Sequence, residues 1–217
     1  MKYKAPHIIT EGGVAYQLGE LRNHEIQYDF KKMLIYLDAK GKLLFGKKFK
    51  IHSEDQRILY KLCSYFIKDR DSCVKFGIDI EKGLLISGPV GCGKTSLMKL
   101  LRHMVPHQRP YEMIPCRNVV FGFNHLGYKT IEDYGNSCFF CFDDLGVETP
   151  GRFYGKDCNV MGEVLLSRYE LYLNTKRKIK THATTNLNAQ ELEERYGIRV
   201  RSRMRELFNL IAFDKES

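Results

Sequence analysis

No stretch of the 217-residue sequence is apolar for long enough to span a bilayer. Its first ten residues, Met1-Lys2-Tyr3-Lys4-Ala5-Pro6-His7-Ile8-Ile9-Thr10, lack the apolar segment and small-residue cleavage site of a secretory signal. Internal repeats and low-complexity tracts are absent too, which excludes a repeat architecture. The cysteines, seven at irregular spacings, build no disulfide framework. Cys138 and Cys141 form a C-x-x-C, but inside an apolar strand pattern their side chains face opposite sides. Buried structural thiols are therefore expected, not a redox or zinc pair. Together these absences predict a protein of a reducing cytoplasm with no membrane partner.

What is present is 43% hydrophobic residues, enough for one substantial core, and a formal net charge of +9. That charge fits a polyanionic partner, or simply a solvated basic surface. The most informative stretch is Gly88-Pro89-Val90-Gly91-Cys92-Gly93-Lys94-Thr95, a complete G-x-x-x-x-G-K-[ST] phosphate-binding loop. Gly83–Ser87 before it reads as a short buried strand, and Ser96–His103 after it has apolar residues at helical spacing. Glycines let the backbone wrap a phosphate and aim N–H groups inward, and the helix that follows adds its positive dipole end. Lys94 would reach the β- and γ-phosphates of ATP, the Thr95 hydroxyl would ligate Mg2+, and Ser96 completes the loop's binding residues. Cys92, inside the loop, is a redox brake or a tolerated filler.

Along the chain, Ile26, Phe30, Met33, Leu34 and Leu37 predict a helix from about His24 to Leu37, with a hairpin turning at Asp38-Ala39-Lys40-Gly41 as the alternative. Residues 1–48 are too few for a core of their own, so they form an extension or docking segment, and 49–217 the phosphate-loop core. Ser53-Glu54-Asp55-Gln56 is a capping-box signature opening a helix through about Ile67. A strand at Tyr111–Pro115 and a helix through Leu126 come next. Cys138-Phe139-Phe140-Cys141-Phe142 is a strand buried on both faces. A loop rich in Gly and Pro then leads to a helix over Asn159–Asn174. Lys180–Thr185 is a fourth strand. Helices at Ala189–Tyr196 and Val200–Leu207 precede a last strand at Asn209–Phe213. Strands alternating with helices predict an α/β fold, a mainly parallel sheet flanked by helices.

Ligands of such sheets sit beyond the carboxyl ends of the strands. Asp143, ending the apolar strand, is placed to hold magnesium through water. Asp144 beside it is the candidate to orient or deprotonate an attacking water, with Glu148 as the other candidate base. Asn186, just past the fourth strand, would hydrogen-bond the γ-phosphate or the water, unless it only caps a turn. Lys176-Arg177-Lys178-Ile179-Lys180 is a nucleic-acid contact or a helix end that suits cations. Arg199 and Arg203 share one helix face, and Arg201 and Arg205 another.

Gly-Pro-x-Gly-x-Gly-Lys-Thr, then Asp-Asp-Leu-Gly-x-Glu, then Ser167-Arg168-Tyr169, then Thr-Thr-Asn-Leu, then Tyr196-Gly197-Ile198-Arg199-Val200-Arg201-Ser202-Arg203-Met204 resembles, in this order over about Phe49 to Phe213, the DnaC/IstB-like branch of AAA+ ATPases. The resemblance implies a slow ATPase that assembles side by side in the presence of ATP. Asn186 matches the family's sensor-1 residue and Arg203 its arginine finger, which acts on a neighbour's nucleotide. The implied partners are single-stranded DNA and a protein, either a replicative helicase or a transposase. A nucleotide-gated interaction module with little hydrolysis is the rival from another class. Two departures stand out: the second acid is Asp rather than Glu, and no helical lid follows the last strand. Slow hydrolysis and weak assembly without a partner would follow.

Overall fold

Two hairpins, not a helix, precede Asp29. Strand β1 (Ile8–Glu11) pairs antiparallel with β2 (Val14–Gln17) across Gly12-Gly13, and β3 (Gly19–Arg22) with β4 (Glu25–Tyr28) across Asn23-His24, whose φ angles are 47° and 66°. The helix expected from His24 therefore starts later and runs further, as α1 (Phe30–Phe45). Its start is set by Asp29, whose carboxylate accepts the backbone N–H groups of Lys31 at 2.8 Å and Lys32 at 3.2 Å. The alternative turn at Asp38–Gly41 is mid-helix, and Lys42 reaches back one turn to Asp38. Ser53 does not cap a helix either: Ser53–Asp55 forms a 3-10 turn without a side-chain cap bond, and α2 (Gln56–Ile67) begins after it. Its buried face holds Ile58, Leu59, Leu62 and Cys63, as the apolar spacing predicts. A short helix, α3 (Arg70–Lys75), follows.

This computed structural model describes residues 5–105, 108–136, 138–175 and 179–213. It packs as two units, Met1–Ile80 with Ser96–Pro110, and Glu81–Thr95 with Tyr111–Ser217. The second unit carries β5 (Gly83–Ser87), the phosphate loop and the first two residues of α4 (Lys94–Leu101). Then come β6 (Glu112–Pro115), α5 (Cys116–Leu126), α6 (Tyr128–Gly135) and β7 (Phe140–Asp143). A small hairpin, β8 (Gly151–Phe153) and β9 (Lys156–Cys158), occupies the expected Gly/Pro loop. It is followed by α7 (Val160–Asn174), β10 (Thr181–Thr185), α8 (Ala189–Leu207) and β11 (Phe208–Ala212). The two helices expected over Ala189–Leu207 flank a break in α8 at Gly197, where φ is 83° and ψ 158°.

Strand order is β11-β5-β10-β7-β6, with every neighbouring pair parallel. The α/β fold with a mainly parallel sheet flanked by helices is thus observed. Every residue of β7 and β10 is buried, as central strands of a covered parallel sheet should be. Val119 and Phe123 of α5, Val164 and Leu165 of α7, and Val200 and Met204 of α8 pack with Phe142 and Ala183 in one core. Parallel pairing brings all carboxyl ends to one edge. Ala212 and Thr185 stand beside Ser87, and Pro115 beside Asp143. All seven cysteines are free thiols; Cys141 is buried and Cys138 half-buried.

Candidate functional site

The phosphate loop leaves β5 at this edge. Gly91 and Gly93 have φ of 84° and 97°, and a Cβ on either would point into open space. Only glycine adopts that backbone without strain, and the open side is the room an anion needs. Gly88 is required for a different reason: a Cβ there would lie 2.6 Å from the Cβ of Phe213. Lys94 is buried, and its Nζ donates to the carbonyls of Gly88 and Pro89, both at 2.8 Å, and lies 3.7 Å from the Sγ of buried Cys92. Val90 is exposed at the tip, and half-buried Ser96 sits in the first turn of α4.

Asp143, buried at the end of β7, is the hub of a bonded set. Its Oδ1 accepts the Thr95 hydroxyl at 2.8 Å and the Thr184 hydroxyl at 2.6 Å. Thr184 Oγ1 in turn accepts the backbone N–H of Asp144 at 3.0 Å, which helps hold Asp144 at a φ of 57°. Asp144 is exposed. No local sequence pattern singles out Thr184, although a hydroxyl in a strand buried on both faces must find a partner. Thr185 obeys the same rule, donating to the carbonyl of Leu145 at 2.7 Å. Among the described residues no group of three or more His, Cys, Asp or Glu side chains could hold a metal. Thr95 Oγ1 and the Asp143 carboxylate, by contrast, are two adjacent hard oxygen donors. They fit magnesium, which uses one or two protein oxygens and takes the rest from phosphates and water.

Glu148, the other candidate base, is buried and occupied. Its Oε2 accepts the N–H of Gly146 at 2.8 Å, and its Oε1 accepts the Tyr196 hydroxyl at 2.6 Å. Asn186 lies one residue beyond β10, next to the start of the phosphate loop, where Gly88 N–H donates to Thr185 O at 3.3 Å. Its Oδ1 is buried and has no hydrogen-bond partner among the described residues. Arg203 sits on α8 after the break, half-buried, its guanidinium 5.7 Å from the centre of the Tyr169 ring. Glu206 accepts the Tyr169 hydroxyl at 2.7 Å. Arg168, between Ser167 and Tyr169 in the same motif, is fully buried and bonds to Thr181 Oγ1 at 2.8 Å. Lys176, Arg177 and Lys178 of the basic cluster lie outside the described residues.

No family model matches the chain. Among solved structures it is similar to the DnaC helicase loader, with a TM-score of 0.51 and 20% identity, covering 76% of this chain and 92% of that one. Among curated proteins it is 30% identical to Cell division control protein 48 homolog C of Arabidopsis thaliana over 129 residues, 55% of this chain and 15% of that protein. It is also 30% identical to the Ribosome biogenesis ATPase RIX7 of Saccharomyces cerevisiae over 105 residues, 44% of this chain and 12% of that protein. The matched part is thus a small fraction of either curated relative. No helix among the described residues is long and apolar enough to cross a membrane. Strand order, phosphate loop and this likeness agree: the chain has an α/β P-loop fold like that of the DnaC helicase loader.

Proposed function

We propose that the chain is a DnaC-like ATPase that binds ATP and Mg2+, hydrolyses ATP slowly, and couples this to single-stranded DNA and a partner protein, a replicative helicase. The observation that carries the reading is the set of Thr95, Asp143, Thr184 and Asp144, bonded together at the strand edge from which the phosphate loop leaves. In this reading the loop N–H groups and Lys94 hold the β- and γ-phosphates, and Thr95 and Asp143 hold the ion, which neutralises phosphate charge when bound. Asp144, exposed where Glu148 is occupied, orients the attacking water and accepts its proton. Asn186 supports the same reading, since a buried acceptor without a donor costs about 1–3 kcal/mol until a water supplies one; turned over, the amide would donate to the γ-phosphate.

Arg203 acts on the nucleotide of a neighbouring subunit in an ATP-dependent assembly. Its place after the break in α8, resting on Tyr169 while Glu206 is engaged by the Tyr169 hydroxyl, leaves the guanidinium available for that role. The DNA reading is supported by the net charge of +9 and by the β8–β9 hairpin. At its tip Tyr154 is 91% exposed, with Arg152 and Lys156 beside it, a stacking surface flanked by cations. Residues 49–217 serve as the ATPase core in this account and 1–48 as the docking segment.

Steady-state ATP hydrolysis and nucleotide titration, each with and without single-stranded DNA, test the proposal on the wild type and Lys94→Ala. The wild type is expected to turn over ATP, faster with DNA. Lys94→Ala is expected to lose binding or turnover while keeping the fold, because it removes a charge-assisted contact to phosphate. Wild-type turnover by Lys94→Ala would contradict the site. Binding without turnover by the wild type, with or without DNA, would make the protein a nucleotide-gated interaction module instead.

A further inference from the structure

Glu148 is a carboxylate with 7% of its surface exposed, five residues beyond Asp143 on the same turn. On one side the turn is tied to β10: Leu145 N–H donates to Thr184 O at 2.8 Å, and Thr185 Oγ1 to Leu145 O. On the other side it is tied to α8 through Glu148. Oε2 accepts the N–H of Gly146, whose φ is 97°, and so keeps the turn folded on itself. Oε1 accepts the hydroxyl of Tyr196, and the Arg195 guanidinium lies 3.7 Å from the same oxygen. Arg195 also donates to the backbone carbonyl of Glu148. Burial and the nearby carboxylate push the Tyr196 hydroxyl far up, so it stays a proton donor throughout the ordinary pH range.

The place of attachment matters. Tyr196 is the last residue before Gly197, where α8 breaks, and Arg199, Arg201, Arg203 and Arg205 all lie on the far side. With φ of 83°, Gly197 is a joint that a residue with a Cβ would resist. One buried carboxylate therefore ties the turn that carries Asp144 to the last residues of α8 before the joint from which the arginine segment leaves.

We propose that Glu148 is a positioning residue that links the Asp144 turn to the half of α8 that ends at the Gly197 joint, and so fixes where the arginine-bearing half starts. The link's effect on turnover rests on the ATPase reading above; the link itself does not. A base would need a free oxygen facing the reacting water, and both Glu148 oxygens are taken within the fold. Its role is to aim Asp144 from one end and to anchor the base of the arginine segment at the other.

Hydrogen exchange of the nucleotide-free full chain, with steady-state kinetics alongside, tests this on the wild type, Glu148→Gln and the milder Tyr196→Phe. Loss of the Tyr196 hydroxyl is expected to speed exchange across residues 144–148, and Glu148→Gln across 195–199, each by about tenfold, the effect of one buried hydrogen bond. Amides of β5 and β10 are expected to keep wild-type rates. Both variants are expected to lower kcat by similar factors with KM kept, and the double variant to be no slower than either single one. Wild-type exchange at 144–148 in Tyr196→Phe would overturn the link. Lost turnover in Glu148→Gln beside full turnover in Tyr196→Phe would overturn it too, and make Glu148 the base. If the wild type itself turns over no ATP, the ATPase reading falls, while the exchange rates still decide the link.

Discussion

Strand β10 of the five-stranded sheet and the β3–β4 hairpin treat polar residues in opposite ways. In β10, Thr181, Thr184 and Thr185 are fully buried, and each hydroxyl has a named partner: Arg168, Asp143 and the carbonyl of Leu145. In the β3–β4 hairpin the ion pairs of Glu20 stand in solvent, with Arg22 at 2.8 Å and with Lys32 of α1 at 3.5 Å. Solvent screens such pairs and long side chains lose entropy in forming them, so they hold little in place. A buried hydroxyl has no water to fall back on, and losing its partner leaves the full desolvation cost. The first kind of contact can fix a carboxylate to within a bond length. The second keeps a surface wet.

The strongest way to break this contrast is at Arg168. Its guanidinium donates to Thr181 Oγ1 at 2.8 Å and to the carbonyls of Asn136 and Lys180, and lies 5.4 Å from the centre of the Phe140 ring. Burial lowers its pKa to about 10, so it remains charged at neutral pH. Arg168→Ala leaves those acceptors unpaired around a cavity and is expected to cost about 3–5 kcal/mol. Arg168→Lys is expected to restore little, because an ammonium lacks the planar fork that reaches three acceptors. Chemical denaturation measures both. A loss below about 1 kcal/mol for Arg168→Ala would put the buried strand on a level with the β3–β4 hairpin.

A smaller effect sharpens the contrast through pH. His182 is buried on β10, and its Nδ1 accepts the backbone N–H of Leu84 at 3.1 Å, which requires the neutral ring. Burial lowers its pKa from 6.5 to about 3. The unfolded chain therefore takes up a proton near pH 6.5 that the folded chain refuses until about pH 3. Stability contributed by the neutral ring is full above the unfolded value and is lost as pH falls between the two. The loss is about 1.4 kcal/mol per pH unit for this one site. Denaturation at pH 7 and pH 5 is expected to show a smaller difference in His182→Asn, which keeps an acceptor but does not titrate. An equal difference in both proteins would remove His182 from the account.

The same contrast explains what was legible in the sequence. Gly88–Thr95, Asp143 and Asp144 stand out because each depends on contiguous residues after a contiguous apolar strand. The bond from Thr184 to Asp143 joins residues 41 apart, and that from Tyr196 to Glu148 residues 48 apart, so neither shows in any local pattern. The Gly12-Gly13 turn is an ordinary hairpin signal that the weak patterning around it obscured. Asn23-His24 is an uncommon turn pair, and β4 is exposed or half-buried throughout, so Ile26 falls in step with the helical spacing of α1. What sequence could not show at α1 is that Asp29 caps it, because any helical phase shared by Ile26 and Phe30 hides the boundary between them.

In the proposed function, the Asp144 turn, held in place by buried bonds, is where ATP is hydrolysed. Nucleotide affinity and kcat of Asp144→Asn, measured on the same preparation, test it most directly. An amide keeps the shape and the turn but accepts no proton. Affinity is expected within about threefold of wild type and kcat lower by about a hundredfold or more, the usual contribution of a positioned base. Wild-type kcat in Asp144→Asn would contradict it.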